Sequence, residues 1–296
     1  CNTKQTRKYD PLKAYLSALE HEMETISGLV DPGCRVTALH LGGGSPTMLK
    51  PEDMVWLDRA LRSRFHFADD AEISVEMDPN DLDDHKYDAL AEIGLTRASI
   101  GVQDFDERVQ QAINREQTFE QTREVVEQVR KRGVRSVNCD VLYGLPHQTR
   151  ASVEDTIGKV ISLNPDRIAL FGYAHVPWMK THQKMIEETA LPDVTERFAQ
   201  MNRASSLLTA AGYTAIGFDH FALPADSLAV AAASGEMRRN FQGYTSDTAD
   251  ALIGLGASSI GQLPQGYIQN QPSTGEYQRQ VNQGRLPVVR GFELSE

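Results

Sequence analysis

Polar residues fill the first nine positions, and a helical period begins at residue 10. Leu12, Tyr15, Leu16, Leu19 and Met23 recur at spacings that share one face of a helix, so the pattern predicts an amphipathic helix over 10–28. Short apolar runs then alternate with helical periods. The runs at 36–42 (VTALHLG), 72–78 (EISVEMD), 97–103 (RASIGVQ), 136–144 (SVNCDVLYG), 167–175 (RIALFGYAH) and 213–220 (YTAIGFDH) read as strands. Helices are predicted over 51–64, 84–92, 106–113 with 117–132, 150–162, and 179–188 with 194–210. Pro51 stands in the first turn of its helix, where a missing N–H costs nothing.

Strand, helix, strand in repetition implies parallel strands joined by helical crossovers, because parallel neighbours cannot be linked by a tight turn. Six such strands are fewer than the eight of a closed barrel. The pattern therefore predicts an α/β fold, either a partial (β/α)6 TIM-like barrel or an open doubly wound sheet. Periodicity does not separate the two. No low-complexity tract or linker interrupts the series, so residues 1–296 are expected to form a single domain.

Composition narrows the partners. The net charge of −11 argues against a nucleic-acid surface, which needs a basic stripe. No apolar run approaches the roughly 18 to 20 residues of a membrane span; Leu228–Ala233, the most apolar helical stretch, is far shorter. The opening CNTKQTRKYD has none of the anatomy of a signal peptide. Three cysteines, Cys1, Cys34 and Cys139, in so long a chain fit a reducing compartment, and the cytoplasm is expected. The chain begins on Cys1 rather than Met and stops at RGFELSE just after a strand pattern, which reads as a fragment of a longer protein.

In parallel α/β folds chemistry gathers at the carboxyl ends of strands. Here those ends carry Gly42, Gly43, Gly44 and Ser45, then Glu76 and Asp78, Gln103 and Asp104, Asp140, Tyr173 to His175, and Asp219 with His220. The three glycines strip the backbone of side chains and leave N–H donors open to a ligand. They lack the spacing of a phosphate loop or a dinucleotide fingerprint. Asp78 and Asp104 stand where helix caps stand. Glu76 and Asp140 follow apolar neighbours and precede their loops, so each is expected to point into the mouth of the sheet and to need a cationic or hydrogen-bonding partner. Arg115, in INREQ, lies in a break between helices, the usual place of a solvated arginine. Close to such a mouth it is also the natural clamp for a ligand carboxylate. Together these residues describe a site for a zwitterion.

The histidines make no HxH or HExxH pattern, and His40 reads as a core residue. Cys139 lies mid-strand and is expected to pack rather than react.

Seven segments in order, HLGGGSPT, ISVEMDP, SIGVQDF with INREQ, NCDVLYGLP, FGYAHVP, GFDHFA and RNFQGYT, resemble the oxygen-independent coproporphyrinogen III oxidases (coproporphyrinogen dehydrogenases) of the radical S-adenosylmethionine (SAM) superfamily. The resemblance covers the whole chain. It implies a partial (β/α)6 barrel and a 4Fe–4S cluster on three cysteines. It also implies two SAM molecules, one of which yields a 5′-deoxyadenosyl radical that acts on the ring A and B propionates of coproporphyrinogen III. By the same resemblance Gly43, Glu76 and Ile260 would contact the cluster-bound SAM. Gly44, Ser45, Gln103, Arg115, Asp140 and Ala174 would form the second SAM site, and Phe241 with Gln242 would line the cavity. An electron donor such as a flavodoxin is the implied partner, and the protein would act as a monomer.

The family's cluster motif reads CxxxCxxCxC. Cys1 matches its last cysteine, which is not an iron ligand, so the cluster cysteines are expected upstream of Cys1 and the fragment alone is expected to be inactive. The mostly helical C-terminal domain of the family has no counterpart in the sequence. Two other readings compete. A related radical SAM family of haem chaperones shares the glycine and GVQ motifs but resembles this chain much less at INREQ, YAHVP and NFQGYT. A metal-dependent barrel enzyme using Glu76, Asp140 and His175 has no spacing pattern behind it.

Overall fold

In the computed structural model residues 9–294 are described. Their elements follow one another as α1 (Asp10–Ser27), β1 (Arg35–Leu41), α2 (Pro51–Arg62), β2 (His66–Met77), α3 (Asp84–Glu92), β3 (Arg97–Gln103), α4 (Glu107–Ala112), α5 (Phe119–Lys131), β4 (Ser136–Tyr143), α6 (Arg150–Ser162), β5 (Arg167–Gly172), α7 (Val194–Ala210), β6 (Thr214–Ile216), β7 (His220–Ala222), α8 (Ser227–Ser234), β8 (Arg238–Asn240), β9 (Gly243–Thr245), β10 (Ile260–Leu263), β11 (Gly266–Asn270), α9 (Thr274–Asn282) and β12 (Val288–Glu293).

Helices begin where short polar side chains can satisfy the first free N–H groups. Thr118 and Gln121 form a reciprocal capping box at α5, and Thr149 with Ser152 does the same at α6. Asp193 caps α7 by accepting from the Glu196 N–H.

Two predicted elements come out differently. The helix expected over 179–188 is replaced by short 3-10 turns at Thr181–Met185 and Glu188–Ala190. Trp178, Met179 and Met185 there are 75%, 72% and 83% exposed, so no core rewards a continuous helix. The strand expected over 213–220 breaks at Gly217, whose φ of 59° turns the chain. It becomes the β6–β7 hairpin instead of a sixth parallel strand.

The chain divides into two compact units, and it passes from the first to the second within β2. The first holds residues up to Gly44, Leu49–Glu72 and those from Met237 on. In it β10, β11 and β12 form an antiparallel sheet and β8 pairs with β9 in a hairpin. Helix α1 packs Ala18 against Tyr277 and Val281 of α9. Beside them Glu22 is only 2% exposed. Its carboxylate accepts from the Tyr277 hydroxyl at 2.6 Å, the Gly256 N–H at 2.7 Å and the Asn270 amide at 2.6 Å. Burial pushes the Glu22 carboxyl above its ordinary range, and these three donors pull against the shift.

The second unit holds Ser45–Met48 and Ile73–Glu236. Its sheet runs β2, β3, β4, β5 in parallel. Strand β7 pairs antiparallel with β5, and β6 pairs with β7. One face of the central strands is fully buried and apolar: Ala98, Ile100 and Val102 on β3, Val137, Cys139 and Val141 on β4. The crossover helices supply the packing partners, with Val125, Val126 and Val129 of α5 and Val153, Ile157 and Val160 of α6 all buried. The opposite face is not a hydrophobic core.

Candidate functional site

Side chains alternate across a strand, so a strand whose one face packs on helices exposes its other set together. On β3 that set is Ser99, Gly101 and Gln103, and on β4 it is Asn138 and Asp140, all partly buried. The register aligns Glu76 with Ser99 and Ser99 with Asn138. One step further along, Gly101 pairs with Asp140, Asp140 with Ala169, and Ala169 with His220. Glu76, Asp140 and His220 thereby share one polar surface. The small Gly101 and Ala169 flank Asp140 in the register.

Among the described residues Asp140 forms no ion pair with a lysine or arginine, and its hydrogen bonds come from its neighbours. Asn138 Nδ2 donates to it at 2.8 Å and Ser99 Oγ at 3.4 Å, and Asn138 also donates to Ser99 at 2.9 Å. Burial pushes the Asp140 carboxyl up and the nearby Glu76 charge adds to the rise; Asn138, His220 and Ser99 oppose it. Two carboxylates acting on one another in a partly desolvated place favour a cationic guest. His220 Nδ1 lies 2.7 Å from Asp219 Oδ1, and its ring meets Phe171 edge-on.

Arg115 arrives by a local route. Helix α4 ends with Asn114 in the left-handed region, φ 53°, and the Arg115 N–H reaches back to the Gln110 carbonyl at 2.9 Å. That is a Schellman closure with Asn in the usual glycine position, and it turns the next side chain back over the sheet. The guanidinium lies on Gly101: a Cβ there would stand 2.9 Å from Arg115 Nη2 and 3.0 Å from Gln103 Nε2. A side chain at 101 would displace the ends of both groups from their present places. Arg115 Nη2 donates to the Gly101 carbonyl at 3.2 Å and pairs with Asp78 at 3.3 Å, while its buried Nε has no hydrogen-bond partner. Gln103 has a φ of 63° at a register irregularity in β3, a strained backbone of the kind found beside ligands. Asp78 also caps the following 3-10 turn by accepting from the Asn80 N–H, so it serves two roles at once.

Ser45 donates to Asp81 at 2.6 Å and lies 3.0 Å from the Thr47 hydroxyl, which accepts from the Asp78 N–H at 3.4 Å. Ala174 is exposed, and its carbonyl accepts from Gln183 Nε2 at 3.0 Å. The remaining sequence-predicted residues belong to the first unit. Gly43 takes a φ of 91°, and Gly44 follows it, exposed. Phe241 is 58% exposed in the turn between β8 and β9, and the Gln242 N–H donates to Asn240 at 2.9 Å. Ile260 opens β10 opposite Gln269.

Ser99, Asn138 and Gly101 were not singled out by sequence reading. Their signal was phase: each stands an even number of residues from a singled-out position on its own strand. Asp104, placed as a cap, is instead fully buried and accepts from the Asp106 N–H at 2.6 Å, Gln148 at 2.5 Å and Thr156 at 3.1 Å; Asp106 caps α4.

The radical SAM superfamily profile matches residues 1–160. The chain belongs to the radical SAM superfamily. Within it the chain is similar to coproporphyrinogen III oxidases. The chain is 51% identical over 296 residues to "Coproporphyrinogen III oxidase, anaerobic 1" of Cereibacter sphaeroides, covering 100% of this chain and 66% of that protein. It is 49% identical over 295 residues to an oxygen-independent coproporphyrinogen III oxidase of Paracoccus denitrificans, covering 100% and 65%. The solved coproporphyrinogen III oxidase HemN from Escherichia coli, a radical SAM enzyme, superposes with a TM-score of 0.96 at 40% identity, covering 100% of this chain and 68% of that one. The chain thus spans about two thirds of the length of the curated relatives it matches.

Superfamily membership implies SAM and a 4Fe–4S cluster. The second unit fits the zwitterionic end of SAM: Asp140 suits its ammonium, and the unpartnered Nε of Arg115 with the Gln103 amide suits its carboxylate. The described residues do not fit the cluster. No group of three His, Cys, Asp or Glu among them could hold a metal ion, and this includes Glu76, Asp140 and His175. Cys139 is buried with its thiol pushed up by burial, and Cys34 is exposed and free. Cys1 lies outside the described residues. No described helix is long and apolar enough to cross a membrane.

Proposed function

We propose that this chain is the SAM-binding core of an oxidoreductase that converts the ring A and B propionates of coproporphyrinogen III to vinyls, giving protoporphyrinogen IX. The observation that carries the reading is the polar face of Asp140, Glu76, Gln103 and Arg115, in a chain 51% identical to a coproporphyrinogen III oxidase. When bound, SAM with its cluster would supply one carbon radical for each propionate, which would remove one hydrogen atom from that side chain. Each propionate then loses carbon dioxide and one electron to become a vinyl.

In this reading the chain's own residues bind, orient and keep water away. Arg115 and Gln103 hold a SAM carboxylate over Gly101, Asp140 takes a hydroxyl or ammonium, and Ser45, Gly44 and Ala174 complete that second SAM site. Glu76 holds the SAM that is cleaved; by the family resemblance Gly43 and Ile260 would join it, and Phe241 with Gln242 would line the substrate cavity. The protein works as a cytoplasmic monomer that receives electrons from a protein such as a flavodoxin.

The test is an anaerobic assay of the full-length protein, reconstituted with iron and sulfide and supplied with SAM and coproporphyrinogen III. Protoporphyrinogen IX with release of two carbon dioxide molecules per substrate is the expected result. Tight haem binding without turnover would overturn the assignment.

A further inference from the structure

Arg197 stands in the first turn of α7, and its side chain crosses to the carboxyl ends of β4 and β5. Two glycines make its bed. A Cβ on Gly144, a residue with φ +81°, would stand 2.9 Å from Arg197 Cζ. A Cβ on Gly172 would stand 2.9 Å from the Tyr143 hydroxyl oxygen and 3.5 Å from Arg197 Nη2. Gly172 is exposed, and the Tyr143 phenol lies over its bare Cα with the Arg197 guanidinium beside it, so both groups stand at a solvent-exposed strand end.

The charge of this guanidinium is not balanced locally. Nη2 donates to the Tyr173 carbonyl at 2.8 Å, and among the described residues Arg197 forms no ion pair with a carboxylate. Its neighbour Glu196 is engaged elsewhere, accepting from the Arg150 N–H at 2.6 Å and from Gln200 at 3.4 Å. Gln200, fully buried, also accepts from the Gly144 N–H at 3.0 Å and fixes the turn beneath the arginine. The position in the first turn of a helix adds the positive end of its dipole. A preorganised cation and a hydroxyl donor side by side at an exposed strand end match a carboxylate or another oxyanion. The site is separate in sequence and in contacts from the Arg115 clamp.

We propose that Arg197 and Tyr143 form an anchoring subsite for a carboxylate of the substrate, a propionate of the tetrapyrrole. The proposal rests on the reading of the substrate given above. A propionate held there would be fixed at the strand end that carries Ala174.

The experiment titrates the reconstituted full-length protein with coproporphyrin III, the air-stable tetracarboxylate, and with its tetramethyl ester, following the porphyrin absorption band. Wild type should bind the free acid at least tenfold more tightly than the ester. Arg197→Gln should weaken the free acid by about 10- to 100-fold and the ester little, as for loss of a charged hydrogen-bond partner. Tyr143→Phe, which keeps the ring packing, should weaken the acid a few-fold. SAM affinity should stay at the wild-type level in both variants. Should Arg197→Gln fold poorly, Arg197→Lys and the ester comparison on wild type still decide. Equal affinity of wild type and the Arg197 variants for the acid would overturn the anchor while leaving the substrate reading standing. Failure of wild type to bind the free acid would overturn both.

Discussion

Glu22 and Asp140 are both acids whose carboxyls burial pushes up, yet they do opposite work. Glu22 faces three neutral donors inside a core of α1, α9 and the 254–259 loop, and nothing about it is left open. Asp140 has side-chain donors only from its own sheet, one of them at 3.4 Å, and feels a second carboxylate across a half-open face. A buried acid surrounded by donors is structural. A buried acid that feels another acid, with an open side, is arranged for something the chain itself does not provide. Asp104, enclosed by Gln148, Thr156 and a backbone N–H within the same unit as Asp140, sides with Glu22.

This contrast predicts where damage goes. Glu22→Ala should destabilise its unit by about 3 kcal/mol or more, since it orphans three buried donors at about 1 to 3 kcal/mol each. Thermal or denaturant unfolding measures it, and a change below about 1 kcal/mol would make Glu22 a bystander. Arg115→Ala should lower SAM affinity by about 100-fold and abolish turnover, as for a lost charge-assisted carboxylate clamp, with iron content and unfolding midpoint unchanged. Calorimetric titration with SAM reads the first effect; wild-type affinity would return Arg115 to the solvated surface.

The two acids should also differ in the sign of their pH dependence. Glu22 has a folded-state pKa raised above its unfolded value. Its contribution is therefore present below the unfolded pKa and lost as pH rises through the raised one. Unfolding free energy should fall with rising pH across that window, and Glu22→Gln should remove the slope. SAM binding at Asp140 should run the other way. The carboxylate form holds the cation, so affinity should weaken as pH falls through its raised pKa. Parallel slopes for stability and binding would break the distinction. The smallest effect belongs to Asp78→Asn. It loosens a half-exposed ion pair at 3.3 Å and should change SAM affinity by only a few-fold, in line with about 0 to 1 kcal/mol for such pairs.

Much of this was legible in order along the chain. Helices α3, α6 and α7 and strand β3 fall where the period and the capping residues put them, because these signals are local. Helix 179–188 and the sixth parallel strand were misread, since exposure of Trp178 and the turn at Gly217 depend on what lies beside them in space. The polar residues at the strand ends could be singled out one by one, but which of them were caps and which were clamps could not.

By itself the sequence determined the alternation of strand and helix, the family, the placing of Glu76 and Asp140 near strand ends and that of Arg115 in a break between helices, all of which follow from the order and spacing of side chains. Only the tertiary structure decided that Arg115 lies on the bare Gly101, that Asp140 feels Glu76, and that Arg197 has glycine beneath it and, among the described residues, no ion pair with a carboxylate. Register and close approach between distant segments set those facts. A charge's meaning depends on the dielectric and partners around it, which sequence order does not contain.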